Sequence, residues 1–354
     1  MIRLDPAQAS DRPAWDAFVA ARPEADVLQA WAWGSAMTAT GQSAIRFLVR
    51  DGEGAIRGLA QALVRPTSFG RSVLYVPHGP VWQREAGDAA AVLAELFVGL
   101  RATARALRGI VVKVDPARDR VGPDDTDTVV RALATAGLRP ARHDLQARTT
   151  LIVDLAGDDA EVAGRWTPEA RNLARRSTRE GVEVEITRHP DERALEEASA
   201  LLVATGARRG FRTHDVPFLG RLAAELDVSG GWYLGIGRLE GRPLGVMVVA
   251  RTGDRAAYLY GGSLRDDANR HANPGYGVMA GMMSALARDG VRWFDLWGVH
   301  DERDIEADAS WQGFSAFKRR FGGREVRHPG TFDLVVSAPW YRLRDLREQL
   351  RDGR

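Results

Sequence analysis

Hydrophobic positions in this chain switch repeatedly between a helical and an extended period, and the order of those switches outlines the fold. Short amphipathic stretches at residues 15–21 and 30–39 predict helices. Three runs with strand alternation follow at 44–50, 57–64 and 72–77, the first two joined by the turn Asp51-Gly-Glu-Gly54. Helical spacing returns with Val92, Leu96, Leu100 and Ala104 inside 89–107, and the continuous apolar run 110–114 predicts a buried strand. A further helix over 125–136 stops at Gly137.

The second half repeats that order. Helices over 158–179 and 191–208 flank a strand at 182–186. Then come a hairpin, 232–238 with 243–251 about Glu240-Gly241, a strand at 256–261, a helix over 277–288 closed by Gly290, and a strand at 293–297. Segment 47–64 matches 233–249, 74–80 matches 258–262, and 111–115 matches 293–296. Such repetition predicts two copies of one α/β (α+β) unit, with a boundary near residue 149.

A length of 354 residues suits two domains, each large enough for its own core. Hydrophobic content of 45% and charged content of 27% fit a soluble globular protein, and no apolar run approaches the roughly 20 residues of a membrane span. Residues Met1 to Pro6 lack the apolar core of a signal peptide, so a cytoplasmic location is expected. The absence of cysteine excludes disulfides, thiolate catalysis and Cys-ligated metal. A formal charge of +2 points to a local anion site rather than a uniformly basic surface.

Of 49 basic residues only Lys113 and Lys318 are lysine. Arginine serves nearly every surface charge here, so each ammonium invites a chemical reason. Lys brings a compact charge with three donors, suited to a single developing oxyanion. The plain alternative is a surface lysine without a role.

Several familiar motifs are missing. Neither lysine follows a glycine, as a phosphate-binding loop needs, and no Gly-x-Ser-x-Gly elbow occurs. The seven histidines lack the one-turn spacing of helix-borne metal ligands, so no metal is expected. Asn273-Pro-Gly-Tyr-Gly277 precedes a helix and reads either as an anion-holding turn or as a plain helix start. An acetyl-CoA turn of the acetyltransferase type would carry Arg or Gln where Ala272 stands. Arg171, Arg175 and Arg179 recur every fourth residue on one helix face, either to meet phosphates or to pair with Glu169, Glu180 or other acids. Asp295 lies within an apolar strand and Asp115 ends its counterpart, each either a structural acceptor or a site residue.

Several segments together resemble the Fem-type (FemABX) aminoacyl-tRNA-dependent peptidyltransferases. They are Gln29–Gly34, Tyr75–Pro80, Val112–Pro116, Thr149–Leu155, Arg171–Arg176 with Gly181-Val182, Tyr258–Ser263, Phe294–Gly298 and Phe314–Gly323. They span nearly the whole chain in the family's order. The resemblance implies two tandem acetyltransferase-like (GNAT) domains packed together, 1–149 completed by 319–354, and 150–318. It implies transfer of an amino acid from aminoacyl-tRNA to an amine of a peptidoglycan precursor stem peptide, without metal or acetyl-CoA. The precursor would be a sugar-nucleotide or a lipid-linked one, the latter implying peripheral membrane contact.

By that resemblance Lys318 is the electrostatic catalyst and Asp115 the candidate base. Trp33, His214, Tyr260 and Asp295 are the substrate-binding candidates, and Arg171, Arg175 and Arg179 the tRNA-binding ones. The chain departs from the family pattern at Met37, where Lys is frequent, and at His214 and Phe218 in place of Arg and Tyr. Those departures leave the acceptor open, including a peptide in natural-product assembly. The rival readings are an acetyl-CoA-dependent N-acetyltransferase on the same fold and a non-catalytic precursor-binding protein.

Overall fold

The computed structural model describes residues 2–209, 215–228, 230–264, 271–304 and 311–352, and the chain forms two compact units. The first comprises residues 1–148 and 327–354, the second 149–326.

The first unit opens with β1 (Arg3–Pro6), α1 (Arg12–Ala20) and α2 (Trp31–Ala36). Strands β2 (Ser43–Arg50), β3 (Ile56–Thr67) and β4 (Arg71–Val76) form a meander, with the short β5 (Val81–Trp82) against β3. Helix α3 (Ala89–Ala106) crosses over to β6 (Gly109–Val114), which lies parallel to β4, and α4 (Thr126–Thr135) and β7 (Arg139–Pro140) follow.

The second unit runs β8 (Thr149–Asp154), α5 (Asp159–Gly164), α6 (Pro168–Arg179), β9 (Val182–Thr187), α7 (Glu192–Arg209) and α8 (Val216–Asp227). Next come β10 (Trp232–Leu239), β11 (Arg242–Thr252), β12 (Arg255–Ser263), α9 (Pro274–Arg288), β13 (Trp293–Gly298), α10 (Gln312–Arg319) and β14 (Arg324–Arg327). The chain then returns to the first unit as β15 (Phe332–Val335) and α11 (Ala338–Asp352).

The first sheet has the order β1-β2-β3-β4-β6-β15-β7 and the second β14-β8-β13-β12-β11-β10-β9. Read from opposite edges the two orders correspond strand for strand, and the pairs β4·β6 and β12·β13 are the parallel ones. Each follows a crossover helix, as parallel neighbours require. The expected repeat is therefore a repeat of topology, and the fold is mixed α/β with two sheets.

Helix α3 lays Val92, Leu96 and Leu100 on the first sheet, against Val112 and Val114 of β6. Helix α9 does the same for the second, with Val278, Met279, Met282 and Leu286. Residues 158–179, expected as one helix, are two. Pro168 cannot continue a helix from the preceding turn, so it occupies the first position of α6, where Thr167 accepts from the Ala170 amide at 3.2 Å. Helix α9 likewise starts at Pro274, ahead of the expected Gly277. The strands β14 and β15 are four residues each, too short for a period to show.

Candidate active site

Helix α10 carries Lys318 one turn after Phe314, so the ammonium and the ring share a face. Lys318 is 1% exposed, and its Nζ lies 3.8 Å from the centre of the Phe314 ring and 5.5 Å from that of Tyr258. It donates to the Gly298 carbonyl at 2.7 Å, its one hydrogen-bond acceptor among the described residues. Burial pushes the Lys318 pKa well below the usual lysine value, and the charge of Asp295 works against that shift. The result is an ammonium faced by two rings and one carbonyl, with donor capacity to spare.

Local sequence explains why the helix sits there. Phe317 and Phe321 pack edge-on at 5.2 Å, and both meet Tyr276 of α9, at 5.0 and 5.6 Å. Gly322 and Gly323 have φ of +74° and +97°, and a Cβ on them would stand 2.6 Å from the Arg165 carbonyl oxygen and 2.5 Å from that of Ile152. The sharp exit from α10 therefore needs both glycines. At the other side of the ammonium, β12 and β13 pair in parallel over Arg255–Ala257 with Trp293–Asp295. Beyond Asp295 the ladder to β8 slips, and Trp297 takes φ of +66°. This irregular strand end presents the Gly298 carbonyl.

Asp295 accepts from the Trp297 amide at 2.7 Å and from the Thr150 hydroxyl of β8. Tyr260, further along β12, is half-buried, packs edge-on to Phe218 at 6.2 Å, and has its phenol pKa raised by burial. His214 lies outside the described residues.

Two further candidates, Asp115 and Trp33, lie in the first unit. Asp115 follows β6 and is 4% exposed. One oxygen accepts from the Tyr75 phenol at 2.5 Å and the other from the Thr331 hydroxyl. Gln146 donates to the same phenol at 2.9 Å. Burial raises the Asp115 pKa, and the Thr331 and Tyr75 hydrogen bonds pull it back. Trp33 is buried on α2, where Gly34 allows the Gln61 side chain to close in, and Met37 is buried beside it. Sequence reasoning missed Tyr75, Thr331 and Gln146 as partners of Asp115, and Tyr258 and Phe314 as the walls around Lys318. The four-residue spacing of Phe314 and Lys318 was the one usable signal.

The basic helix face divides. Arg171 donates to the carbonyl oxygens of Ala163, Gly164 and Trp166, closing the end of α5. Arg175 and Arg179 are exposed and find no carboxylate among the described residues, since Glu180 pairs with Arg176 at 3.3 Å and Glu169 with Arg320 at 3.0 Å. The Asn273–Gly277 segment starts α9, and the space for a Cβ on Gly277 is taken by Ser177 of α6, 2.6 Å away. This glycine serves helix packing. Among the described residues no group of three or more His, Asp or Glu could hold a metal ion, and no helix is long and apolar enough to cross a membrane.

Known proteins resemble this chain over most of its length. Lipid II:glycine glycyltransferase of Staphylococcus haemolyticus (strain JCSC1435) is 24% identical over 400 aligned residues, covering 93% of this chain and 92% of that protein. The corresponding Staphylococcus aureus (strain MRSA252) protein is 23% identical over 403. The crystal structure of FemX superposes with a TM-score of 0.81 at 20% identity, covering 96% of this chain and 99% of that one. A tandem GNAT protein from the clavulanic acid biosynthesis pathway gives 0.57 at 14% identity, with coverages of 95% and 99%. The likeness in both is one of fold. An acetyltransferase (GNAT) domain model matches residues 168–319, and the FemAB family model matches residues 11–225. With more than half its length matched by that model, the chain belongs to the FemAB family.

Proposed function

We propose that this protein is an aminoacyltransferase that moves an amino acid from aminoacyl-tRNA to an amine on the stem peptide of a peptidoglycan precursor. Membership of a transferase family and the distant relation to lipid II glycyltransferases support that reading. The observation that carries it is Lys318, a buried ammonium answered by a carbonyl and two rings but, among the described residues, by no carboxylate at contact distance. A charge so placed is stabilised by any anion that forms beside it.

In the proposed reaction the acceptor amine attacks the ester carbonyl of the charged tRNA. The new C–N bond forms as the carbonyl electrons move onto oxygen, and the Lys318 ammonium faces that oxyanion. Collapse expels the ribose oxygen, which takes a proton, and the attacking nitrogen loses one. Asp115 is the candidate acceptor of that proton, since its raised pKa makes it a better base than an exposed aspartate. Each of its oxygens already accepts one hydrogen bond, from Tyr75 or Thr331, and keeps a second lone pair. Tyr260, Asp295, Trp33 and His214 are proposed to contact the acceptor, and Arg175 and Arg179 the tRNA.

The test supplies labelled aminoacyl-tRNA with sugar-nucleotide, lipid-linked or free-peptide acceptors and follows label into the acceptor. Removing one oxyanion donor typically costs about 10²–10³ in rate, so Lys318→Met should lose at least about a hundredfold in kcat while remaining folded. Undiminished transfer by Lys318→Met would overturn the assignment of Lys318. Saturable acetyl-CoA binding with acetyl transfer, and no transfer from tRNA, would favour an N-acetyltransferase.

A further inference from the structure

Ten large hydrophobic residues are exposed in the described chain. Besides Val98, six of them belong to the first unit, and three of those, Phe69, Leu145 and Leu343, line one cavity. Phe69, 66% exposed, tips the β3–β4 turn, Leu107 ends α3, and Leu145 follows β7. Leu343, Leu346 and Leu350 lie on α11 at spacings of three and four, forming a stripe that is 40%, 52% and 64% exposed.

The first turn of helix α11 packs on the sheet. Trp340 and Tyr341 pack on Val73, Ile110 and Val111, and the Tyr341 phenol donates to Asp333 at 2.6 Å. Beyond that turn Leu346 and Leu350 stay more than half exposed among the described residues. Between the helix and the sheet lies a cavity of about 290 Å³ with both apolar and cationic walls, among them Val73, Ile110, Leu343, Arg65, Arg344 and Arg347.

The charges around this face are one-sided. Arg65 stacks 4.1 Å over Tyr75, Arg71 4.5 Å over Trp340, and Arg347 5.9 Å over Phe69. None of these three, nor Arg108, has a carboxylate partner among the described residues, and the Arg71 Nε has no hydrogen-bond partner at all. Only Arg344 is answered, by Glu348 at 2.8 Å. Among the described residues Arg65 donates only to the Gln42 amide oxygen, at 3.2 Å. Guanidinium groups without a carboxylate partner among the described residues, set beside exposed leucines, describe an amphipathic surface open to an anion.

We propose that this face docks on a bilayer containing anionic phospholipid, with the leucine stripe and Phe69 entering the acyl boundary and the arginines meeting phosphate groups. A second copy of the chain would bring arginine against arginine, which like charges oppose. A nucleic acid would satisfy the arginines but leave the leucines in water. A lipid surface answers both at once. The inference stands on the first unit alone and does not depend on the reaction proposed above.

The test is flotation of the full chain with vesicles of phosphatidylcholine, with and without about one-third phosphatidylglycerol. Binding should be at least roughly tenfold stronger with phosphatidylglycerol and should weaken as salt rises. The pairs Leu346→Ser/Leu350→Ser and Arg65→Gln/Arg347→Gln should each lower it by roughly tenfold. Equal binding to both vesicle types, or binding unchanged in both paired variants, would overturn the proposal. So would a dimer in sedimentation equilibrium that Leu346→Ser dissociates, because the stripe would then face another copy.

Discussion

The two lysines of this chain are both buried, one in each unit, and the fold treats them in opposite ways. Lys113 points from β6 to Asp333 of β15 at 2.9 Å, and the second Asp333 oxygen accepts from Tyr341. Lys318 has no carboxylate at that range among the described residues and instead faces Phe314, Tyr258 and the Gly298 carbonyl. Charge paired so closely has little left to offer a reaction. Charge held by rings and a carbonyl remains available to an incoming anion, and it raises the free energy of the folded state until one arrives. The contrast gives Lys113 a structural partner and leaves Lys318 as the group proposed for chemistry, although residue type alone singles out both.

The same contrast runs through the carboxylates. Both units place an aspartate at the end of the parallel pair, and both hold it with a threonine from the antiparallel neighbour. Thr331 serves Asp115 and Thr150 serves Asp295. In the first unit Tyr75 completes the shell and occupies the second Asp115 oxygen. In the second unit the nearby cation is Lys318, whose pKa Asp295 supports. One topology has thus been furnished with an aspartate held by two hydroxyls in one copy and with an aspartate near a buried lysine in the other.

The largest effect that would break the comparison is on stability. Lys113→Met strands the buried Asp333 carboxylate, and losing one member of a buried pair costs about 3–5 kcal/mol. Chemical denaturation should show that loss, whereas Lys318→Met should cost little or stabilise. Equal losses in the two variants would remove the distinction between them.

A second prediction uses pH. Lys318 has its folded pKa depressed below the unfolded lysine value of 10.5, so between the two values the unfolded chain binds the extra proton. Stability should therefore rise with pH across that window. Activity that needs the ammonium should fall over the same window. Lys318→Met should flatten this part of the stability profile relative to wild type, as read from thermal midpoints at fixed ionic strength. An unchanged slope in the variant would mean that the proton is bound elsewhere.

The smallest expected effect lies on α6. Arg175→Gln with Arg179→Gln removes two exposed charges and should leave stability within about 0.5 kcal/mol of wild type. Aminoacyl-tRNA binding should weaken by roughly threefold to tenfold, with a shallower dependence on salt. Arg171→Gln should instead lower the melting temperature, because its guanidinium closes the end of α5. A tRNA effect confined to Arg171 would reverse that division of labour.

Much of the fold was legible because period is local. The meander, the crossover helices α3 and α9 and the buried strands β6 and β13 all announce themselves through spacing along the chain. The break at Pro168 was legible in principle, since proline's missing N–H acts where it stands. The four-residue strand β15 was not legible, because its place beside β6 depends on partners more than two hundred residues away in sequence.

By itself the sequence determined the periods, the glycines that permit the turn after α10, and the presence of two ammonium groups among dozens of guanidinium groups. Tertiary structure alone decided which ammonium would be neutralised. Asp333 reaches Lys113 through a pairing 220 residues long, while the slipped ladder after Asp295 turns the Gly298 carbonyl towards Lys318. Burial, partner and pKa belong to a side chain's surroundings, and only the folded chain brings those surroundings together.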